Sequence, residues 1–238
     1  MEEIIVNHIK INVIRKNIQN MHLAVYPPAG RVRIAAPMHI NKEAIRVFAV
    51  SKLSWITRNQ RKFEQQERMT PREYMQRESH YFIGRRYLLN IIEREAPPEV
   101  RLRSKTYIDL YIRPDTSIAR RHEIMTEWYR EALKQQIPEL IKRWESILDV
   151  DVQSWGVKQM KTKWGSCNIE QKRIWINLEL AKKPHRCLEY IVVHEMVHLL
   201  ERHHNDRFIH YMDAHLPQWR QIKAELNNLP ASHATWNY

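Results

Sequence analysis

The stretch Tyr190-Ile191-Val192-Val193-His194-Glu195-Met196-Val197-His198-Leu199-Leu200 decides how this chain is read. Its apolar residues run too densely for a surface helix, so the pattern predicts a buried one. His194 and His198 are four apart, one helical turn, so both imidazoles reach one metal ion. Glu195 projects beside that ion, where it can take a proton from water. Histidine is frequent here, 13 of 238 residues, so the spacing gains weight only from its context. That context is burial. Unsatisfied polar groups inside an apolar helix cost about 1–3 kcal/mol each, and a bound metal supplies the reason for their presence.

A catalytic zinc takes three protein ligands and keeps a fourth position open. His203, His204, His210 and His215 follow the helix. On an unbroken helix His204 would be rotated by about 240° from His198 and face away. It reaches the metal only if the helix ends near Arg202 and the chain doubles back. The six-residue step from His198 to His204 equals the metzincin spacing, but Glu201 stands where those proteins carry a turn glycine. His203 is then the expected turn residue, since histidine tolerates a left-handed backbone better than most residues. Asn205 or Asp206 is expected to cap a further helix through Phe208, Ile209 and Met212. The reading favours His204 as third ligand and keeps His203 as the alternative. His210 and His215 are read as ordinary polar positions on the next helix.

The remaining composition narrows the class. A length of 238 residues holds one large domain or two small ones. Hydrophobic residues at 43%, with eight tryptophans, argue for a folded globular chain. There is no run of eighteen apolar residues, so no membrane-spanning helix is expected. Met1-Glu2-Glu3-Ile4 is acidic and does not read as a signal peptide. Cys167 and Cys187 give no disulfide framework, so a cytoplasmic location is expected. The charge, 39 Lys+Arg against 27 Asp+Glu, net +12, favours polyanionic partners, nucleic acid among them. The cations are spread along the chain, which equally suits a solvated basic surface.

Alternation predicts strands over 11–14, 22–26 and 31–36, the last two joined by Pro27-Pro28-Ala29-Gly30. One helix is expected from about Lys42 to Gln66. Beyond Thr70-Pro71, a second strand group is expected over 81–83, 86–91, 100–102 and 107–112. Ser117 opens a long helix through Leu133, and Pro138 is expected to open a second one through Trp144, because proline breaks a helix interior. Strands return at 152–157 and 173–177, and Pro184 starts the histidine helix. No internal repeat is visible. The expected fold is α+β: a strand-rich portion with one long helix over 1–115, a catalytic portion over 116–229, and a tail over 230–238.

Several pieces recur together in one known order. They are Arg15-Lys16, Val32-Arg33-Ile34-Ala35-Ala36-Pro37, Trp55-Ile56, Trp164-Gly165-Ser166-Cys167, Arg173-Ile174-Trp175-Ile176-Asn177 with Leu180, Tyr190 to Glu195, His198-Leu199, His204 and Phe208. This series, from residue 1 to about 229, resembles the YgjP-like family of metal-dependent hydrolases, related to the SprT and WLM zincins. Trp164 to Cys167 is its most individual signature. The family usually carries Asn where His203 stands, which suits a turn and leaves two neighbouring histidines to choose between. The resemblance implies a zincin-like catalytic portion with a mixed sheet and a metal-binding helix. It also implies zinc on His194, His198 and His204, with Glu195 as general base.

Zincins hold an extended substrate along a strand edge beside the metal helix, so Ser166 or Asn177 is expected to bind substrate. The plainer reading makes Gly165 a tight turn with Trp164 in the core. Tyr190, one turn before His194, is expected to line the pocket or donate to an oxyanion, with core packing as the alternative. Cys167 is not expected to bind metal. Lys161 and Lys163 read as a phosphate contact or a solvated pair, and Glu201 as a partner for a metal-binding imidazole or a helix-end charge. The expected activity is that of a zinc peptidase acting on polypeptide. The alternatives are a nucleoside triphosphate pyrophosphatase, which lacks a Gly-x-x-x-x-Gly-Lys cradle here, and a DNA-associated SprT-like protease.

Overall fold

The computed structural model describes residues 2–26, 29–65, 72–160 and 163–229. The expected Pro27-Pro28 turn, the Thr70-Pro71 break, Lys161 and the tail over 230–238 lie outside them. Alternating apolar residues build the first sheet from β1 (Glu2–Val6), β2 (Ile9–Lys16), β3 (His22–Tyr26) and β4 (Arg31–Pro37). Their order is β1-β2-β4-β3, with β2 and β4 parallel and both outer pairs antiparallel. Two helices follow, α1 (Lys42–Ser51) and α2 (Leu53–Gln65). The single helix expected here is interrupted at Lys52, beside Ser51, whose Oγ donates to the Phe48 carbonyl at 2.8 Å. Ile11, Val32, Ile34 and Ala36 from the sheet join Ile45, Ala49 and Ile56 from the helices in one solvent-free core.

A second sheet repeats that topology. β5 (Ser79–Phe82), β6 (Arg85–Glu93), β7 (Glu99–Leu102) and β8 (Tyr107–Ile112) run in the order β5-β6-β8-β7, again parallel in the centre and antiparallel outside. The first hairpin of each sheet also turns alike, through two left-handed residues: Asn7 and His8 (φ 45° and 66°), and Ile83 and Gly84 (φ 48° and 76°). Such pairs match the right-handed twist of the flanking strands. The structure thus contains a repeat that the sequence does not display, because alternation and turn geometry can be met by many different side chains.

Thr70–Leu229 form one compact unit, and the residues up to Met69 group separately. The sequence alone places that boundary after residue 115. The second sheet joins the later elements because Leu89, Ile108, Leu110 and Ile112 share a core with the helix that follows. That helix, α3 (Ile118–Leu148), is continuous through Pro138, which corrects the expectation of two helices. Proline removes one helical hydrogen bond, but Leu133, Ile137, Leu140, Ile141 and Trp144 bury one unbroken face across it.

A third, mixed sheet follows. β9 (Ser154–Lys158), β10 (Gly165–Asn168) and β11 (Arg173–Asn177) lie in the order β10-β11-β9, so β10 is an edge strand. A 3₁₀ turn (Leu178–Lys182) leads to α4 (His185–Val197), then α5 (Asp206–His215) and α6 (Trp219–Asn228). Nine of the thirteen α4 residues are buried, so this helix is central to its unit. The β5–β6 turn braces its start. Ile83 N–H donates to the Ala181 carbonyl at 2.9 Å, and a Cβ on Gly84 would lie 2.7 Å from Pro184 Cγ. Among the described residues, no helix is long and apolar enough to cross a membrane.

Candidate active site

Helix α4 ends at Val197, earlier than the expected Arg202, with His198 as its last half-turn residue. Leu200 and Glu201 N–H groups close back on the Val197 carbonyl. The chain then reverses over 201–205. His203 was expected to make that reversal in a left-handed conformation, but it is not among the described residues with positive φ. Hydrogen bonds hold the turn instead: His203 N–H donates to Glu201 Oε1 at 3.1 Å, and Asn205 N–H to the His203 carbonyl at 2.8 Å. Asn205 caps α5 through Oδ1, which accepts from Phe208 N–H at 3.1 Å.

This reversal carries His204 back toward α4. One ring nitrogen from each of His194, His198 and His204 lies within 4.8 Å of the other two. His194 Nε2 and His204 Nε2 are 3.0 Å apart. His198 Nδ1 lies 3.1 Å from the Glu201 carbonyl. A carbonyl only accepts, so Nδ1 carries the proton and Nε2 keeps its lone pair. The part expected of the Glu201 side chain toward an imidazole is therefore taken by its backbone oxygen. His203, His210 and His215 are not in the cluster, and His215 stacks on Tyr211.

Phe208 forms the floor. Its ring centroid is 4.9, 4.8 and 4.7 Å from those of His194, His198 and His204, and it is almost wholly buried. Burial holds all three imidazoles below their usual range; neighbouring cluster imidazoles add to this for His194 and His204, and the Lys163 charge for His198. His194 is pushed down to about 3, so the rings are neutral lone-pair donors at neutral pH. His194 Nδ1 is buried and has no hydrogen-bond partner among the described residues. Three neutral imidazoles converging on one point fit a divalent ion. His194, His198 and His204 would hold such an ion through one ring nitrogen each.

Glu195 lines the same cleft as these rings. Burial pushes its carboxyl up to about 8, against the pull of the Lys163 charge. Its carboxylate fills space left by Gly165, where a Cβ would stand 2.6 Å from Oε1. Gly165 lies in the edge strand β10 with no positive φ, so it is not the tight turn considered from the sequence. Period-two alternation puts Cys167 on the same face and Ser166 on the opposite one. Cys167 lines the cleft, its thiol pushed up to about 11 by burial and then by Glu195.

The cleft has a volume of about 990 Å³ and is lined by β10, α4, the α4–α5 turn and α6. Ser166 and Tyr190 both line it. Tyr190 turns its ring edge to His194 and stacks on Trp219. Asn177, expected to contact substrate, is not among the lining residues. Its amide is occupied by the backbone: Nδ2 donates to the carbonyls of Met160 and Lys163 at 3.0 and 2.7 Å, and Oδ1 accepts from Glu179 N–H. Asn177 thereby fixes the approach to β10. Sequence reading gave Gly165 and Phe208 no role at the site, although both stand in the recurring series of motifs, and it did not single out Lys223.

The YgjP-like, metallopeptidase domain family model matches residues 20–229. Among solved structures, the chain is similar to the metallopeptidase zymogen abylysin of Pyrococcus abyssi, with 16% identity and a TM-score of 0.36 over 38% of this chain and 90% of that one. It is also similar to the zymogen jannalysin of Methanocaldococcus jannaschii, with 19% identity and a TM-score of 0.35 over 38% and 92%. A comparison with curated proteins found no match.

Proposed function

The chain belongs to the YgjP-like family and is a metal-dependent hydrolase, and from that premise we propose a zinc peptidase with His194, His198 and His204 as ligands. The observation that carries this reading is the convergence of three imidazole nitrogens within 4.8 Å, beside a buried carboxylate. Zinc, when bound, supplies Lewis acidity, polarising a carbonyl and acidifying water. The protein does the rest.

An extended polypeptide lies along the free edge of β10, held by backbone N–H and C=O groups. Ser166 adds a hydroxyl to that edge, and Tyr190, from one turn before His194, donates to the oxygen that gains charge at the scissile carbonyl. The Glu195 carboxyl, raised by burial alone, would be drawn back to its ionised form by the charge of a bound ion. In that form it accepts a proton from water on a carboxylate oxygen as the water oxygen bonds the carbonyl carbon. It then delivers that proton to the departing amine nitrogen as the C–N bond breaks. The Phe208 floor and the His198–Glu201 hydrogen bond keep the imidazoles in position throughout.

The test is Glu195→Gln. Metal content should match the wild type, while cleavage of a mixed peptide pool falls by at least about 100-fold. Equal cleavage by both proteins would remove Glu195 from the chemistry.

A further inference from the structure

Three cations line the cleft around the histidines: Lys163 ahead of β10, Arg202 in the α4–α5 turn, and Lys223 on α6. All three are exposed. Among the described residues, none has a carboxylate within ion-pair distance, and this sets them apart from their neighbours. On either side of Lys223, Arg220 pairs with Asp213, and Glu225 pairs with Arg186. Lys223 instead leans its ammonium on the Trp219 ring at 5.5 Å. The positive charges also bracket the cluster. Lys223 acts on His194 and His204, and Lys163 on Glu195 and His198. The acidic residues lining the cleft are Glu195 itself and Glu170, in the turn beyond β10. A cleft edged by one sign of charge gathers ligands of the other, raising encounter rates by about 10- to 1000-fold.

We infer that the cleft selects an anionic substrate, a polypeptide with an acidic side chain near the scissile bond, held by Lys163, Arg202 and Lys223. This rests on the peptidase reading above. The recognised chemistry is the anion, and the phosphates of a nucleoside triphosphate offer it as well, so the experiment separates the two sources.

Zinc-reconstituted full-length wild type and the double variant Arg202→Gln/Lys223→Gln would be given two randomised quenched peptide pools, one with a fixed Asp and one with Asn in its place. Nucleoside triphosphates would be assayed in parallel for pyrophosphate and phosphate release. In wild type the Asp pool should be cleaved about ten-fold faster at about 50 mM KCl, and the preference should shrink at about 300 mM as screening shortens. In the double variant the ratio should fall toward one with zinc content retained. Cleavage of both pools at equal rates, or a preference intact in the variant, overturns the inference and leaves the peptidase reading standing. Triphosphate turnover lost in the variant, with neither pool cleaved, keeps the anion site and overturns the peptide as its source. Fluorescence anisotropy with labelled Asp and Asn peptides on Glu195→Gln gives a readout without turnover. Equal affinities there would also overturn the inference.

Discussion

A Cβ on Gly165 would meet Glu195 at 2.6 Å from Oε1, 2.7 Å from Cγ and 2.9 Å from Cδ. The edge strand and the carboxylate therefore occupy adjoining space that only a glycine leaves open. Gly165→Ala should displace the Glu195 carboxylate, and a misplacement of about 1 Å lowers kcat by about 100-fold. Zinc content should stay at the wild-type level, because the three atoms nearest an added Cβ all belong to Glu195. Steady-state kinetics alongside metal analysis checks it, and an unchanged kcat would show that the carboxylate has room to spare.

Phe208 contacts all three imidazoles. Phe208→Ala should cost about 3–5 kcal/mol of stability through the cavity it leaves, and it should weaken metal retention because the rings lose their floor. Phe208→Leu should recover much of both. Thermal melts paired with a chelator competition separate the two effects, and tight metal binding in the alanine variant would mean that the floor does not set the rings.

Asn205 caps α5 in the turn that brings His204 back. Asn205→Ala should lose about 0.5–2 kcal/mol, and metal affinity should fall with it, since the same turn carries the third imidazole. Wild-type chelator resistance in this variant would show that the turn is held without its cap.

His80 provides a pH test away from the site. Burial, then the Arg72 charge, holds its imidazole down to about 4, against Glu78, whose Oε2 lies 3.2 Å away. The contact is thus a hydrogen bond from a neutral ring at pH 7, with Lys182 adding further positive charge nearby and Tyr74 packed beside the ring. The folded pKa lies below the unfolded 6.5, so the unfolded chain binds the extra proton between the two values. This contribution is complete above about pH 6.5 and is lost as pH falls toward 4, roughly 1–3 kcal/mol in all. Denaturant midpoints at several pH values should therefore fall less steeply for His80→Gln than for wild type. Parallel slopes would mean the folded protein accommodates the charged ring.

The elements built on strong periodicity were legible in the sequence. The apolar run from Tyr190 to Leu200 reads as a buried helix because burial and helical spacing act in the same direction, and alternation marked β2, β3, β4, β6 and β8. What stayed hidden depended on tertiary context. The break expected at Pro138 is overridden by a buried face that continues on both sides. Gly165 looks like a turn residue until α4 places a carboxylate against it. Asn177 looks available to substrate until the Met160 and Lys163 carbonyls take its amide. The return of His204 was reasoned from the need to reverse the chain, whereas the means, a hydrogen-bonded turn with the Glu201 carboxylate and the Asn205 cap, depends on side-chain geometry that residue order alone does not convey.

The most direct measurement is metal content per chain, by mass spectrometry, for wild type, His194→Ala and His204→Ala after zinc reconstitution. One zinc per wild-type chain, lost or greatly weakened in both variants, is the predicted result. A wild-type protein that takes up no zinc, or a His204→Ala variant that keeps it fully, would contradict the three-histidine site.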